Sequence, residues 1–223
     1  MPTFDFKGIR CAKYSKNESG VQYSEPTRVG DAMNCSLELR FAEGRLYAES
    51  ALAEYLKKAT GGTVSIGVKY IPQPAQKLMY DAKDSPRSVS KKSTVGLKFG
   101  KKTTGQYVGV SFYAPDMIDS VEKFTCVFIP KVLFGPPSLA FQTLNDAITF
   151  QTPTTTGEFL AADNEDGDML EVAVCDTEDE AIAWTKLVLG EDISSLKESA
   201  QTVVQATDTP AEVEAAGSGE RVD

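Results

Sequence analysis

The chain has 223 residues, a formal net charge of −9 and no histidine. That length holds one good-sized hydrophobic core, the acidic balance sets the protein as a whole against gripping nucleic acid, and the missing imidazole removes the commonest metal ligand and general base, which turns the reading away from an enzyme. The opening segment MPTFDFKGIRCAKYS has no apolar stretch fit for a secretory signal, and no later run is long or apolar enough to span a bilayer. The expectation is a protein made in the cytoplasm with no membrane partner. Cys11, Cys35, Cys126 and Cys175 lie far apart with no CxxC pair, a pattern that predicts buried free thiols rather than a disulfide, no metal and no cofactor.

Met1 to Phe6 is a short arm with two phenylalanines, able to pack on its own domain or on a neighbour. Ile9 to Tyr14 reads as a strand and Val21 to Tyr23 as its hairpin partner, across the polar turn Lys16-Asn17-Glu18-Ser19-Gly20. From Met33 the apolar residues fall on every second position. Met33, Cys35, Leu37, Leu39 and Phe41 share one face and Asn34, Ser36, Glu38 and Arg40 the other, as a pleated strand with one wet side requires. Gly44 reads as a turn, Arg45 to Ser50 as a shorter extended run, and Gly61-Gly62 as a hairpin position needing positive φ. Leu52 to Ala59 has good helix formers, but its place before Gly61 favours strand. Thr63 to Tyr70 alternates again, with Val64, Ile66, Val68 and Tyr70 opposed to Thr63, Ser65, Gly67 and Lys69. Pro72 and Pro74 end the sheet, and Ala75 to Ala82 suits a short helix across an opening of a sandwich.

Between Asp81 and Gln106 the composition changes: Lys83, Arg87, Lys91, Lys92, Lys98, Lys101 and Lys102 face few acids. This stretch predicts a mobile loop and hairpin, with Thr94 to Phe99 pairing to Tyr107 to Tyr113, whose Val108, Val110 and Phe112 form one face. Phe124 to Ile129 is apolar on both faces and should be a central strand, covered from both sides by its own chain or by a neighbouring subunit. Gly135-Pro136-Pro137 stops it. Leu139 to Gln142 and Ile148 to Gln151 read as a short pair about a turn at Asn145-Asp146, and Glu171 to Cys175 as the last strand. The acidic run Asp163-Asn164-Glu165-Asp166-Gly167-Asp168 brings its glycine one place too early for a calcium loop and has Val174 where a closing glutamate belongs, so it reads as a solvated turn. Thr177-Glu178-Asp179-Glu180 is a capping box that starts a helix with Ala181, Ile182, Trp184, Leu187 and Val188 as its apolar stripe and Gly190 as its stop. Ser194 to Ala206 suggests a weak second helix, and from Thr207 the chain is too polar to fold.

The block SLELRFAEGRLYAESALAEYLKKATGGTVSIGVKYIP is followed in order by YVGVSFYAP (Tyr107 to Pro115), FQTPTTTGEFLA (Phe150 to Ala161) and DTEDEAIAWTKLVLG (Asp176 to Gly190). Together they resemble the major tail proteins of long-tailed bacteriophages, the tail tube subunits. The resemblance runs over roughly residues 1–190 and rests on the order of motifs, none of them catalytic. It implies a mainly β fold, a β-sandwich or partial barrel with a flanking α-helix and a capped C-terminal helix, over residues 1–190, with 191–223 as a C-terminal extension. It also implies a structural role without turnover: hexameric rings, their inner strands closed into one β-barrel, stack head to tail into a tail tube. The partners would be other copies of the chain, a tape-measure protein, other tail proteins, and double-stranded DNA in transit without specific binding. The location would be the virion tail, after assembly in host cytoplasm. Within this reading Lys91, Lys92, Lys101 and Lys102 are candidate ring-stacking contacts to acidic surface on the next subunit, and Glu38 and Arg40 form a lumen-facing or solvent-facing row. The residues leave open a tube subunit of a phage-derived secretion or bacteriocin particle, and a monomeric β-sandwich ligand-binding module; no hydrolase signature is present.

Overall fold

A computed structural model describes residues 5–18, 20–89, 92–101, 103–118, 120–139, 141, 143 and 151–192. Among these the elements are, in chain order, β1 (Lys7–Asn17), β2 (Gly20–Arg28), β3 (Ala32–Ala48), β4 (Ala51–Val68), α1 (Gln73–Tyr80), β5 (Lys83–Val89), β6 (Lys92–Lys98), β7 (Tyr107–Ile118), β8 (Val121–Phe134), β9 (Thr154–Phe159), β10 (Glu171–Cys175) and α2 (Glu178–Leu187). The fold is mainly β. Seven strands run in the antiparallel order β2-β1-β7-β8-β9-β4-β3, and β10 joins as an eighth by pairing with Phe124 to Phe128 of β8, while β9 pairs with Val132 to Phe134 of the same strand. The sheet is open, with β2 and β3 as its two ends.

One face of this sheet curls round a single core in which Ile9, Cys11, Val64, Ile66, Val68, Val108, Val110, Ile129, Val132, Phe134 and Phe159 meet. Helix α1 packs into that core with Ala75, Leu78, Met79 and Tyr80. Pro74 stands in its first turn, where a missing N–H costs nothing. The other face of β7 and β8 is covered by α2. Tyr113, Phe124 and Cys126 pack on Ala181, and Ala12 and Phe128 on Leu189, while the buried Ser111 hydroxyl donates to the Thr185 carbonyl at 2.8 Å. The strand predicted to be covered on both sides is therefore central β8, and its own chain covers it. The expected capping box is present, with Thr177 Oγ1 accepting from the Glu180 amide and Glu180 accepting from the Thr177 amide. Gly190 follows at φ 69°.

The longest hairpin departs from expectation in where it turns. β3 runs without interruption through Gly44, which pairs with Leu56, and the turn is Glu49-Ser50, both at positive φ (49° and 67°). Gly61 and Gly62 lie inside β4, opposite Arg40 and Leu39. Gly62 answers to packing: a Cβ there would meet the Phe159 ring at 2.2 Å and the Glu38 carbonyl at 2.3 Å, so the glycine lets β9 and β3 close on β4 from either side. Leu52 to Ala59 is strand as expected, though as the outer half of β4 and not as an arm that ends in a turn at Gly61. Of the predicted apolar face of β3, Cys35, Leu37 and Leu39 are half-buried against the core, whereas Met33 and Phe41, each beside a β-bulge, are exposed; Tyr70 lies past the end of β4 and is exposed too.

Other expectations are corrected. Thr94 to Lys98 belongs to β6, which pairs with β5 in a separate two-stranded sheet, and β7 pairs instead with β1 and β8. The hairpin solves its backbone pairing locally and leaves β7 to longer strands. The TTTGEF segment, not foreseen as a strand, is β9, inserted between β4 and β8. Helix α1 starts and ends two residues earlier than predicted, stopped by Asp81 in the left-handed conformation. In α2, Leu187 points to solvent, and Leu189, beyond the helix, takes the buried place. The turn at Asn145-Asp146 and most of the short pair about it, the helix from Ser194 to Ala206 and the polar tail from Thr207 lie outside the described residues, as does nearly all of the C-terminal extension.

Candidate interaction surfaces

Every residue from 40 to 58 is exposed, so the outer half of the β3–β4 hairpin is an arm that leaves the core, extending it by about 25 Å at ~3.3 Å per residue. Alternation gives this arm two unlike faces. On one, Glu43 is bridged by Arg45 at 3.6 Å and Lys57 at 3.4 Å, while Lys57 sits 4.4 Å over the Phe41 ring and Arg45 5.6 Å over Tyr55. These polar groups satisfy one another. The opposite face carries Leu46 and Leu56, diagonal across the strands and exposed by 58% and 71%, beside Ala42 and Gly44 and flanked by Glu54, opposite Leu46, and Lys58, opposite Ala42. Tyr47 and Leu52, paired near the tip, are exposed as well. A two-stranded hairpin is marginal in water by itself, and a contiguous uncovered apolar surface marks a place where something docks.

Glu38 and Arg40 lie two residues apart on the outward face of β3, the face opposite the core. Their row continues across the sheet through Thr63 and Ser65 to Thr156 and Glu158, and Arg40 Nη2 donates to Glu158 Oε1 at 2.8 Å. Glu38, opposite Thr63, is exposed. This is a continuous polar sheet face three strands wide. The four candidate lysines are less coherent. Lys92 pairs by its backbone with Val89 at the start of β6, Lys101 is exposed in the loop beyond that strand, and Lys91 and Lys102 lie outside the described residues. At the root of the basic hairpin Lys77 of α1 holds Asp84 at 2.7 Å.

A groove of about 360 Å³ opens at the unfilled end of the core, lined by Phe6, Leu37, Phe112, Val127, Leu170 and Val172. Its floor carries Asp116, only 3% exposed, whose Oδ2 accepts from the Thr125 hydroxyl and whose Oδ1 has no partner. The alternation Val108, Val110, Phe112, Ala114, Asp116 along β7 held the signal for this residue: a carboxylate stands where the apolar face calls for another aliphatic side chain. A buried carboxylate oxygen without a donor is costly, and here it stands in a groove whose other lining is largely apolar.

The acidic turn is a brace. Asp163 accepts from Lys131 Nζ at 2.6 Å and the Tyr14 hydroxyl at 2.8 Å, and these bonds hold its carboxyl below the ordinary carboxylate range. Asn164 and Asp168 bond each other across the turn. Among the described residues no group of three or more histidine, cysteine, aspartate or glutamate side chains gathers as for a metal ion, and no helix is long and apolar enough to cross a membrane. A scan against protein-family models and a search of curated proteins both find no match to this chain.

Proposed function

We propose that this protein is the tail tube subunit of a long-tailed bacteriophage, a structural protein whose copies form hexameric rings that stack into the conduit for DNA. The observation that carries the reading is the β3–β4 arm: a long hairpin that leaves the core with Leu46, Tyr47, Leu52 and Leu56 exposed, on a sheet whose outer edges, at β2 and β3, have no further strand beside them among the described residues. Open strands and apolar arms are liabilities in a monomer. Copies of the same chain remove both, and head-to-tail contacts between rings propagate a filament because they do not close on themselves. The polar face of Glu38, Arg40, Thr63, Ser65 and Glu158 suits a wall along which DNA slides, since it mixes both signs of charge and offers no lysine row to hold phosphate.

The ring, its hexameric order and the tape-measure partner come from the family resemblance. Negative-stain microscopy and light scattering of the concentrated full chain test the assembly, which should give rings or tubes of uniform width. Monomers alone at high concentration, with and without other tail proteins, overturn the reading. A tube subunit of a phage-derived secretion or bacteriocin particle would behave alike and is separated by the neighbouring genes. The groove over Asp116 favours one further reading, a monomeric ligand-binding module, which saturable binding of a small ligand by a non-assembling chain would select.

A further inference from the structure

Two thiols meet beneath α2. Strands β8 and β10 pair with Cys126 opposite Ala173 and Cys175 opposite Phe124, which makes the two cysteines diagonal neighbours on the face that the helix covers. Their sulfurs are 3.6 Å apart, ordinary contact between two thiols. Cys126 is fully buried against Ala181, whereas Cys175 is half-buried at the end of β10. Burial pushes the Cys126 thiol up, so in the reduced protein it is inert to anything in solution. The remaining cysteines, Cys11 of β1 and Cys35 of β3, belong to the other cluster, around the main core.

We propose that Cys126 and Cys175 are a dithiol that closes to a disulfide when the protein passes from a reducing to an oxidising environment, with a small-molecule disulfide as the oxidant. The half-buried Cys175 reacts first. Its thiolate attacks one sulfur of the oxidant, forming a mixed disulfide and releasing one small thiol. Cys126 then loses its proton and attacks Cys175 Sγ, expelling the second small thiol, which takes up that proton. Two protein thiols are oxidised and one oxidant disulfide is reduced to two thiols, so atoms and electrons balance. The order is set by access, because of these two thiols Cys175 is the one reachable from outside. Closure ties β10, and with it the start of α2, covalently to β8 across the long connection that contains β9. The unfolded chain then loses the freedom of that loop, and the helix cap that shields β8 is held down. The inference rests on the compact unit of residues 1–191 and is independent of the tube reading.

The test uses the reduced full chain equilibrated with oxidised and reduced glutathione at graded ratios, followed by alkylation of residual thiols under denaturing conditions and peptide mass mapping. The expected product is one linked peptide pair joining Cys126 to Cys175, lighter by two hydrogens, with Cys11 and Cys35 alkylated. Its Tm should rise by roughly 5–10 °C over the reduced chain. The variant C126S should stop at glutathione on Cys175, and C175S should leave Cys126 free. Four alkylated cysteines at every ratio, glutathione stranded on Cys175 of the unaltered chain, or links to Cys11 or Cys35 would overturn the site; a linked protein with unchanged Tm would overturn the clamp.

Discussion

Replacing Leu46 and Leu56 together by serine should separate assembly from folding. Both lie on the uncovered face of the β3–β4 arm, exposed by 58% and 71%, and neither contributes to the core clusters. Complete burial of a leucine side chain is worth about 1.5–3 kcal/mol, so covering the exposed portions contributes roughly 1 kcal/mol at Leu46 and about 1.5 kcal/mol at Leu56. The pair therefore accounts for about 2.5 kcal/mol at each arm contact, or roughly 60-fold in the association constant. Stability of the isolated chain should move by no more than ~0.5 kcal/mol, the usual range for exposed positions. The assay is paired: light scattering against concentration locates the onset of assembly, and urea unfolding of dilute protein reports the fold. The onset should move up by about the factor calculated, with the urea midpoint unchanged. An unaltered onset in a variant whose parent assembles would refute the assignment of this face to the contact.

Gly62→Ala should lower the urea midpoint by an amount equivalent to roughly 1–3 kcal/mol, because the added methyl meets the Phe159 ring and the Glu38 carbonyl and one of them must shift. Reversing Lys91, Lys92, Lys101 and Lys102 to glutamate should abolish stacking while leaving the fold and single rings in micrographs; tubes of normal length and salt sensitivity would remove the basic segment from the stacking contact. The bond from Lys131 depresses the Asp163 carboxyl below its ordinary value of 3.8. Its contribution to stability is therefore complete above that value and is lost as pH falls through the lowered one. Asp163→Asn should flatten this part of the acid limb of stability against pH, read from urea midpoints between about pH 5 and pH 2.

Much of this molecule is written in short-range patterns. The alternation of β3 and of the inner half of β4, the double-faced apolar run of β8, the proline at the start of α1 and the capping box of α2 each depend on residues within a few positions of one another. The physical cause is local: the period of two in a pleat, a fixed φ, a side chain bonding an amide three residues on. Tertiary structure decided the rest. Glycine at 44 and 61-62 resembles a turn in isolation, but the turn fell at Glu49-Ser50 because β4 had to bring Val64, Ile66 and Val68 opposite the half-buried side of β3, and Gly62 was needed where Phe159 crosses. Leu187 fits the helical stripe as well as Leu189 fits none, yet only Leu189 reaches Phe128. The carboxylate of Asp116 breaks a local alternation, but that its oxygen is buried without a partner, and that Cys126 approaches Cys175, follow only once β7, β8 and β10 are side by side. The same holds for the arm. Its leucines and tyrosines read as ordinary strand residues, and their exposure follows from the core ending near Leu39 while the hairpin goes on.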